Sequence, residues 1–532
     1  MKSKSKQVVL HPFMFAIYPV AFLYAGHKEL LDFSVVYAPT AVSIAVAGVI
    51  WIALKQLLAD WNRASIAASA ILMVLFSYRP IVNSFRSVSQ GGEIDLWNKI
   101  IGTCIVLAIA AAFFVLRSAK HLGPINYGLN MASLLLVGGP LFQAAIWNFS
   151  MMSLESSIPD RAEFHADQLP ASTKGGPDIY YFVLDGYGRE DFLRTRYGFD
   201  NSDMTAALKQ RGFAVPQLAV ANYPFTLISV TSSLNFTYLQ DLFGDELAVA
   251  GDQRFLRELM HNPRAVRLLR SSGYKIASFE SEYWAANIGD VDVNLKEPWF
   301  LNSFSLRVLQ MTIVPPLLQA FGHPVLYDLH RERTAYPLEH AEDAIRLPGP
   351  KFVYAHIFFA HPPFVFGDNG EDVSQSSDYS WDHDPADGNE FVAGYRSQVS
   401  YLNQRLLAAV DKILEQSERE PIIILHGDHG PSLNYDAESL ENTDVEERYG
   451  IFYAAHLPDG GNAAIYDSIS PVNGLRIVLN TYFGTDYKLL DDQAFYALQS
   501  QPYNYVALPD VTAEPPLAGV ALGAPLGVPG SD

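Results

Sequence analysis

The sequence predicts two regions of different class. An α-helical transmembrane region of five spans covers residues 1–150, and an α/β domain with a mostly parallel central sheet covers 177–506. Three observations predict this. Five long apolar stretches fill the first 150 residues. Charge divides at the same place: residues 1–150 carry 11 Lys and Arg against 5 Asp and Glu, and the remainder carries 26 against 52. Beyond the division, short β-rich apolar runs alternate with stretches of helical spacing.

The approximate cores of the apolar stretches are 10–25, 35–58, 64–82, 100–116 and 129–146. Most approach the roughly 20 residues that a helix needs to cross a bilayer. The first is short and holds Pro19. Five such runs in succession argue against a buried bundle in a soluble protein and against a cleaved signal peptide. Orientation follows from basic residues in the short loops. Lys2, Lys4, Lys6, Lys55, Arg63, Arg117 and Lys120 fall on one side, and Lys28, Arg79, Arg86 and Lys99 on the other. That bias favours a cytoplasmic N-terminus and places everything after about residue 150 outside the cytoplasm. Residues 151–176 read as a linker, and 507–532, rich in Pro, Gly and Ala, as a flexible tail.

The acidic second half excludes nucleic acid as a partner, because phosphate backbones need a basic face. Cys104 is the only cysteine, so no intramolecular disulfide and no cysteine-rich metal site can form.

Three stretches of the soluble domain carry chemistry. Pro421–Ser432 reads PIIILHGDHGPS. Its unbroken apolar run predicts a strand buried on both faces, ending in Asp428-His429 at the carboxyl edge, where open α/β sheets place ligands. A carboxylate and an imidazole suit a divalent metal such as zinc, although an isolated Asp-His is more often a polar turn. Asp178–Gly188, DIYYFVLDGYG, predicts the first strand over Ile179–Leu184 and delivers Asp185 at its end. Helices are expected over Arg189–Tyr197 and Asn201–Arg211. Ala221–Tyr238, ANYPFTLISVTSSLNFTY, predicts a helix starting near Thr226. A hydroxyl there sits among free backbone N–H groups at the positive end of the helix dipole, a good place for a nucleophile that attacks phosphate. The plainer reading makes Thr226 an N-cap and Ser229, Thr231, Ser232 and Ser233 polar surface.

A fourth stretch, Lys351–Phe366, predicts another buried strand leading to His361-Pro362-Pro363, with His356 inside the run as a core or supporting histidine. Gly273–Phe279 predicts a further strand, and Phe391–Ser417 a helix. Residues 368–389 form an acidic loop. His456 follows a strand expected near the sheet edge.

The ordered set of strand-Asp185, helix-start Thr226 and strand-Asp428-His429 resembles the alkaline phosphatase and sulfatase superfamily. With five preceding spans, the chain is most similar to the membrane-anchored branch of lipoteichoic acid synthases and lipid A phosphoethanolamine transferases. Thr226-Leu227-Ile228-Ser229 fits the Thr-x-x-Ser spacing around the nucleophile of the latter. The resemblance implies an alkaline-phosphatase-like domain in which Asp185, Thr226, Asp428 and His429 hold one divalent ion, Zn²⁺ or Mn²⁺. It makes Thr226 the nucleophile and gives His361 a contact with the substrate phosphoryl group. A second ion is left open. Tyr283, Trp284, Trp299 and Phe300 are candidates to line a head-group pocket, with Trp284 the substrate-binding residue. The resemblance further implies a bacterial inner-membrane enzyme with its catalytic domain on the periplasmic side, a phospholipid donor, and a glycan or glycolipid acceptor. The transferred group would be of phosphoethanolamine or phosphoglycerol type. A hydrolase using water as acceptor and a non-catalytic scaffold of the same fold are the alternatives. Two departures stand out. Lipoteichoic acid synthases carry a glutamate where this chain has Asp185, and the disulfides common in the phosphoethanolamine transferases are impossible here. No Cys-x-Pro-Ser-Arg pattern is present, which speaks against sulfate ester hydrolysis.

Overall fold

The computed structural model describes residues 8–29, 31–88, 102, 106, 122–155, 175–243, 253–297, 302–373 and 388–509. These fall into two compact units. One takes the described residues of 8–155 together with 302–332, and the other takes 175–297, 333–373 and 388–509.

In the first unit, four of the five apolar stretches form helices: α1 (His11–His27), α2 (Tyr37–Leu58), α3 (Trp61–Val88) and α4 (Gly123–Glu155). The fourth stretch, 100–116, lies outside the described residues apart from Gly102 and Val106. Only two described segments, Phe33–Leu58 and Gly123–Phe149, are long and apolar enough to cross a bilayer, so five spans are not established. The apolar part of α3, Trp61–Phe76, is shorter. α4 continues to Glu155, so the expected linker loses its first five residues to helix; 156–174 lie outside the described residues. The unit also takes in 302–332, which the sequence assigned to the soluble domain.

The second unit is built on a six-stranded sheet in the order β3-β2-β4-β1-β5-β6. The strands are β1 (Ile179–Leu184), β2 (Lys275–Phe279), β3 (Val293–Leu295), β4 (Lys351–Ile357), β5 (Ile422–Gly427) and β6 (Tyr453–His456). Every pairing is parallel except β5–β6 at one edge. All residues of β1, β4 and β5 are buried. Both faces are covered, which is why these strands read as continuous apolar runs rather than alternating ones. On the Tyr181 and Val183 face, the core joins Val230 and Leu234 of the Thr226–Asn235 helix to Leu475 and Val478 of the Pro471–Phe483 helix.

Register positions the chemistry. Val183 of β1 pairs with His356 on one side and His426 on the other. Side chains alternate with a period of two, and paired residues on neighbouring strands share a face. Asp185 lies two residues past Val183, and Asp428 two past His426. Asp185, His356 and Asp428 therefore converge on one face at the carboxyl edge of the sheet. The expected helices appear as Glu190–Tyr197, Ser202–Gln210 and Gly388–Gln416. Within the acidic loop 374–387 lie outside the described residues, as do 510–532; Ala507 itself ends a strand.

Candidate metal centre and active site

The centre is assembled from four chain segments. Asp185 leaves β1 with its N–H donating to Ile357 O (3.1 Å), so the β1–β4 ladder runs one residue past the strand end. Asp428 follows β5. Its Oδ1 accepts from the N–H of Gly186 (3.1 Å) and of His429 (3.0 Å), which fixes the carboxylate and leaves Oδ2 facing the centre. Gly186 has a φ of +74°, a backbone form that non-glycine residues rarely adopt. At Gly430, just after the Asp-His pair, a side chain would run into the Glu447 carbonyl.

His429 projects between the two carboxylates. Its Nε2 lies 3.5 Å from Asp185 Oδ1 and 3.4 Å from Asp428 Oδ2. Its Nδ1 lies 2.9 Å from Gly430 O. A carbonyl only accepts, so Nδ1 carries the proton and Nε2 presents a lone pair to the centre, as metal-ligating histidines do. His356 faces the same point, with Nε2 3.6 Å from Asp185 Oδ2 and 3.9 Å from Asp428 Oδ2 and Nδ1 2.9 Å from Ser281 Oγ. Asp185 Oδ1, Asp428 Oδ2 and His356 Nε2 are buried without any hydrogen-bond partner. Ligand atoms of these three residues lie within 4.8 Å of one another. Buried polar atoms are nearly always paired, and three orphans aimed at one point are the pattern that a cation would complete. The donor set of carboxylates and imidazoles fits a divalent ion.

His356 corrects the sequence reading, which set it aside as a core or supporting residue. It is buried in the sheet, yet β4 in register with β1 carries it into the carboxylate pair. The signal was its place one residue before the end of a strand adjacent to the Asp185 strand, and strand order is not visible in a sequence.

Thr226 is the first residue of its helix. The N-cap is Phe225, in an extended conformation and without a side-chain cap. The hydroxyl is thus not a capping group. Oγ1 lies 3.3 Å from His429 Nε2. Ser229, one turn on, donates from Oγ to Asp428 O (2.7 Å) and ties this helix to the Asp-His loop. The plainer reading of the following residues as polar surface does not hold. Every residue of Thr226–Asn235 is buried. Thr231 and Ser233 donate to the carbonyls of Leu227 and Ser229 (2.5 and 2.6 Å), and Ser232 to Thr237 O (2.7 Å).

Electrostatics match a cation site. Burial pushes the Asp185 carboxyl well up, and the charge of Asp428 beside it adds to this. Burial also opposes ionisation of Asp428, but His429 and His356 outweigh it and hold that carboxyl below the usual range. Two carboxylates this close do not ionise independently. His429 is lowered to about 3, by burial first and then by Arg448, so it is neutral near pH 7 with its lone pair available.

Arg448 was not singled out from the sequence. Its buried guanidinium donates from Nε to Pro224 O (2.5 Å) and from Nη1 to Gly430 O (3.2 Å), and it stacks 3.8 Å from the Tyr435 ring centre. One side chain thereby holds the backbone before Thr226 and the carbonyl that orients His429.

His361 is half-buried in the turn after β4. Its Nδ1 lies 2.5 Å from Pro362 O, and burial, followed by the charge of Arg448, lowers it to about 4. Asp428 acts on its ring in the raising direction and His356 in the lowering direction. Trp284 sits on a short 3-10 turn, Trp284–Ala286, which packs against the Thr226 helix. Its neighbour Tyr283 is the ring near the centre, 6.4 Å from the His356 ring. Burial raises its hydroxyl first, and Asp185 and Asp428 then raise it further. Trp299 and Phe300 lie outside the described residues. His426 is engaged behind the centre by Tyr181 Oη (2.8 Å) and Gly427 O (2.8 Å). His456 is on the edge strand against Pro421 O and Glu420.

Comparison with known proteins adds a likeness of fold. No protein-family model matches the chain, and no curated protein matches it. Among solved structures, the C-terminal periplasmic domain of EptC from Escherichia coli is 13% identical, covers 65% of this chain and 96% of its own, and has a TM-score of 0.43. A zinc complex of that domain matches at 14% identity, covering 66% and 97%, with a TM-score of 0.41. The integral membrane lipooligosaccharide phosphoethanolamine transferase EptA from Neisseria meningitidis is 12% identical, covers 89% and 95%, and has a TM-score of 0.37. The phosphonate monoester hydrolase of Agrobacterium radiobacter is 11% identical, covers 60% and 80%, and has a TM-score of 0.40.

Proposed function

We propose that this chain is a membrane-anchored, sulfatase-like phosphotransferase of the alkaline phosphatase superfamily. It moves a phosphoethanolamine- or phosphoglycerol-type head group from a phospholipid to an envelope glycan or glycolipid. The observation that carries the reading is the Thr226 hydroxyl. It stands uncapped at a helix N-terminus, 3.3 Å from a neutral imidazole and beside three orphaned buried ligand atoms.

Asp185, Asp428 and His429, with Thr226 and the neighbouring His356, are the residues that would hold a divalent ion, Zn²⁺ or Mn²⁺. When bound, such an ion lowers the pKa of a hydroxyl and offsets charge on phosphoryl oxygens. Thr226 Oγ1 attacks the phosphorus of the donor. A Thr226 O–P bond forms, the bond from phosphorus to the diacylglycerol oxygen breaks, and the Thr226 proton ends on diacylglycerol. The free N–H groups of the first helical turn face the negative phosphoryl oxygens. The acceptor hydroxyl then attacks the phospho-threonine diester, restoring Thr226. His361 contacts the phosphoryl group in both steps. With Nδ1 bonded to Pro362 O, its Nε2 is the atom that can take or return a proton. The helical unit keeps the enzyme with its lipid donor in the bacterial inner membrane, with the catalytic domain on the periplasmic side.

Full-length protein with head-group-labelled phosphatidylethanolamine and phosphatidylglycerol, in vesicles with envelope glycolipid, tests this. Label appearing on the glycolipid supports transfer. Free phosphorylated head group alone assigns a hydrolase, and no release with no bound metal assigns a scaffold.

A further inference from the structure

Residues 302–321 come late in the chain yet belong to the helical unit. They form two short helices, Ser303–Gln310 and Val314–Ala320. The first touches α1, α2 and the 3-10 turn Phe33–Val36. Between the two, Ile313 N–H donates to Leu75 O (3.0 Å) and Met311 O accepts from Arg79 N–H (3.4 Å), one turn of α3 bonded by its backbone. The segment is thus fixed to the helices rather than looped past them.

The end at which it sits can be read from two contacts. α1 and α4 run side by side in the same direction. His11 Nε2 meets Asn126 Oδ1 (2.8 Å) at one end, and Lys28 Nζ lies 5.3 Å from the Trp147 ring at the other. The Phe33–Val36 turn follows Lys28, so the first short helix packs at that end, the one the basic-residue bias puts outside the cytoplasm.

The segment's chemistry departs from its surroundings. In a region 151–532 with twice as many acidic as basic residues, 302–321 hold no Asp or Glu and one basic residue, Arg307. The first helix buries Phe304, Leu306 and Val308, while the second buries only Pro315. Leu317 is 52% and Phe321 74% exposed. Phe33 and Tyr37, at the same end, are 51% and 64% exposed. Exposed apolar and aromatic side chains beside the ends of membrane helices are what the head-group boundary of a bilayer accepts.

We propose that residues 302–321 lie in the bilayer interface, with Leu317 and Phe321 inserted among phospholipid acyl chains at the head-group boundary. This rests on the membrane-spanning reading of the helices. Nitroxide labelling in a Cys104→Ser background tests it, using Leu317→Cys, Phe321→Cys, Leu135→Cys (a 73% exposed position in α4) and the solvent-exposed Asp486→Cys. Full-length protein is placed in phosphatidylethanolamine/phosphatidylglycerol vesicles, and collisions with oxygen are compared with those of a water-soluble nickel chelate. Oxygen-dominated collisions at 317, 321 and 135, against nickel-dominated ones at 486, are expected. Nickel-dominated collisions at 321 with oxygen dominating at 135 would overturn this proposal alone. Nickel dominating at 135 as well would overturn the spanning reading and the proposal with it. Shielding from both reagents at 317 and 321 would assign the face to a second protein surface and overturn it too.

Discussion

The hydroxyl of Thr226 lies 3.3 Å from Nε2 of His429, a contact across 203 positions of sequence. It joins the first turn of a helix to the loop after β5, and the nucleophile assignment depends on it. Thr226→Ala is expected to cut turnover by about 10³-fold or more, as loss of a nucleophile does. Thr226→Ser keeps the hydroxyl and is expected to retain measurable turnover. Thermal melts should show both variants folded.

Metal loading is expected to stabilise the protein increasingly as pH rises through the raised folded pKa of Asp185. The sign follows from two shifts. Asp185 is raised in the folded chain, so without metal its contribution to stability is present at low pH and lost as pH rises through its folded pKa. His429 is lowered to about 3, so its contribution is present above its unfolded value and lost as pH falls toward 3. A cation competes with the proton on Asp185 over this range, whereas His429, lowered to about 3, already presents its lone pair. The melting temperature with and without added Zn²⁺ or Mn²⁺, scanned over pH, measures this. At a hundredfold excess over Kd the gain is about 2.7 kcal/mol.

The two histidines of the β4 segment separate by role. His356→Gln is expected to weaken metal affinity roughly 10- to 100-fold, judged from effects of perturbing a metal site. His361→Ala is expected to lower kcat and leave metal stoichiometry unchanged. Metal content after dialysis, measured beside turnover, distinguishes them.

Arg448→Met removes a guanidinium from the carbonyls of Pro224, Gly430 and Pro431; Gly430 O keeps the His429 Nδ1–H, while Pro224 O and Pro431 O lose this donor. Each such loss costs about 1–3 kcal/mol. Arg448→Lys restores the charge but not the planar fork, and is expected to recover only part of the loss. Chemical denaturation of the three proteins reads the difference.

Much of the second unit was legible in the sequence. β1, β5 and the start of the Thr226 helix fall where their apolar runs and turn residues place them, because these segments are buried on both faces and bounded by Gly, Asp or Pro. Asp185, Asp428, His429 and Thr226 come together because each ends or begins such an element. His356 and Arg448 were not legible as site residues. The role of His356 depends on which strand lies beside β1, and that of Arg448 on carbonyls 18 and 224 residues away. The first unit was legible as apolar helices, of which two described segments are long and apolar enough to cross a bilayer. The return of 302–321 to it was hidden, because two short helices with one charge also read as ordinary core.

Intact-mass and peptide analysis of the full-length, metal-loaded protein incubated with mixed bacterial phospholipids tests the central claim most directly. The account predicts a covalent adduct of head-group mass on the peptide holding Thr226, absent from Thr226→Ala and discharged when acceptor is added. Turnover of the same lipids by a Thr226→Ala protein at the unmodified rate, or an adduct on any other residue, would contradict it.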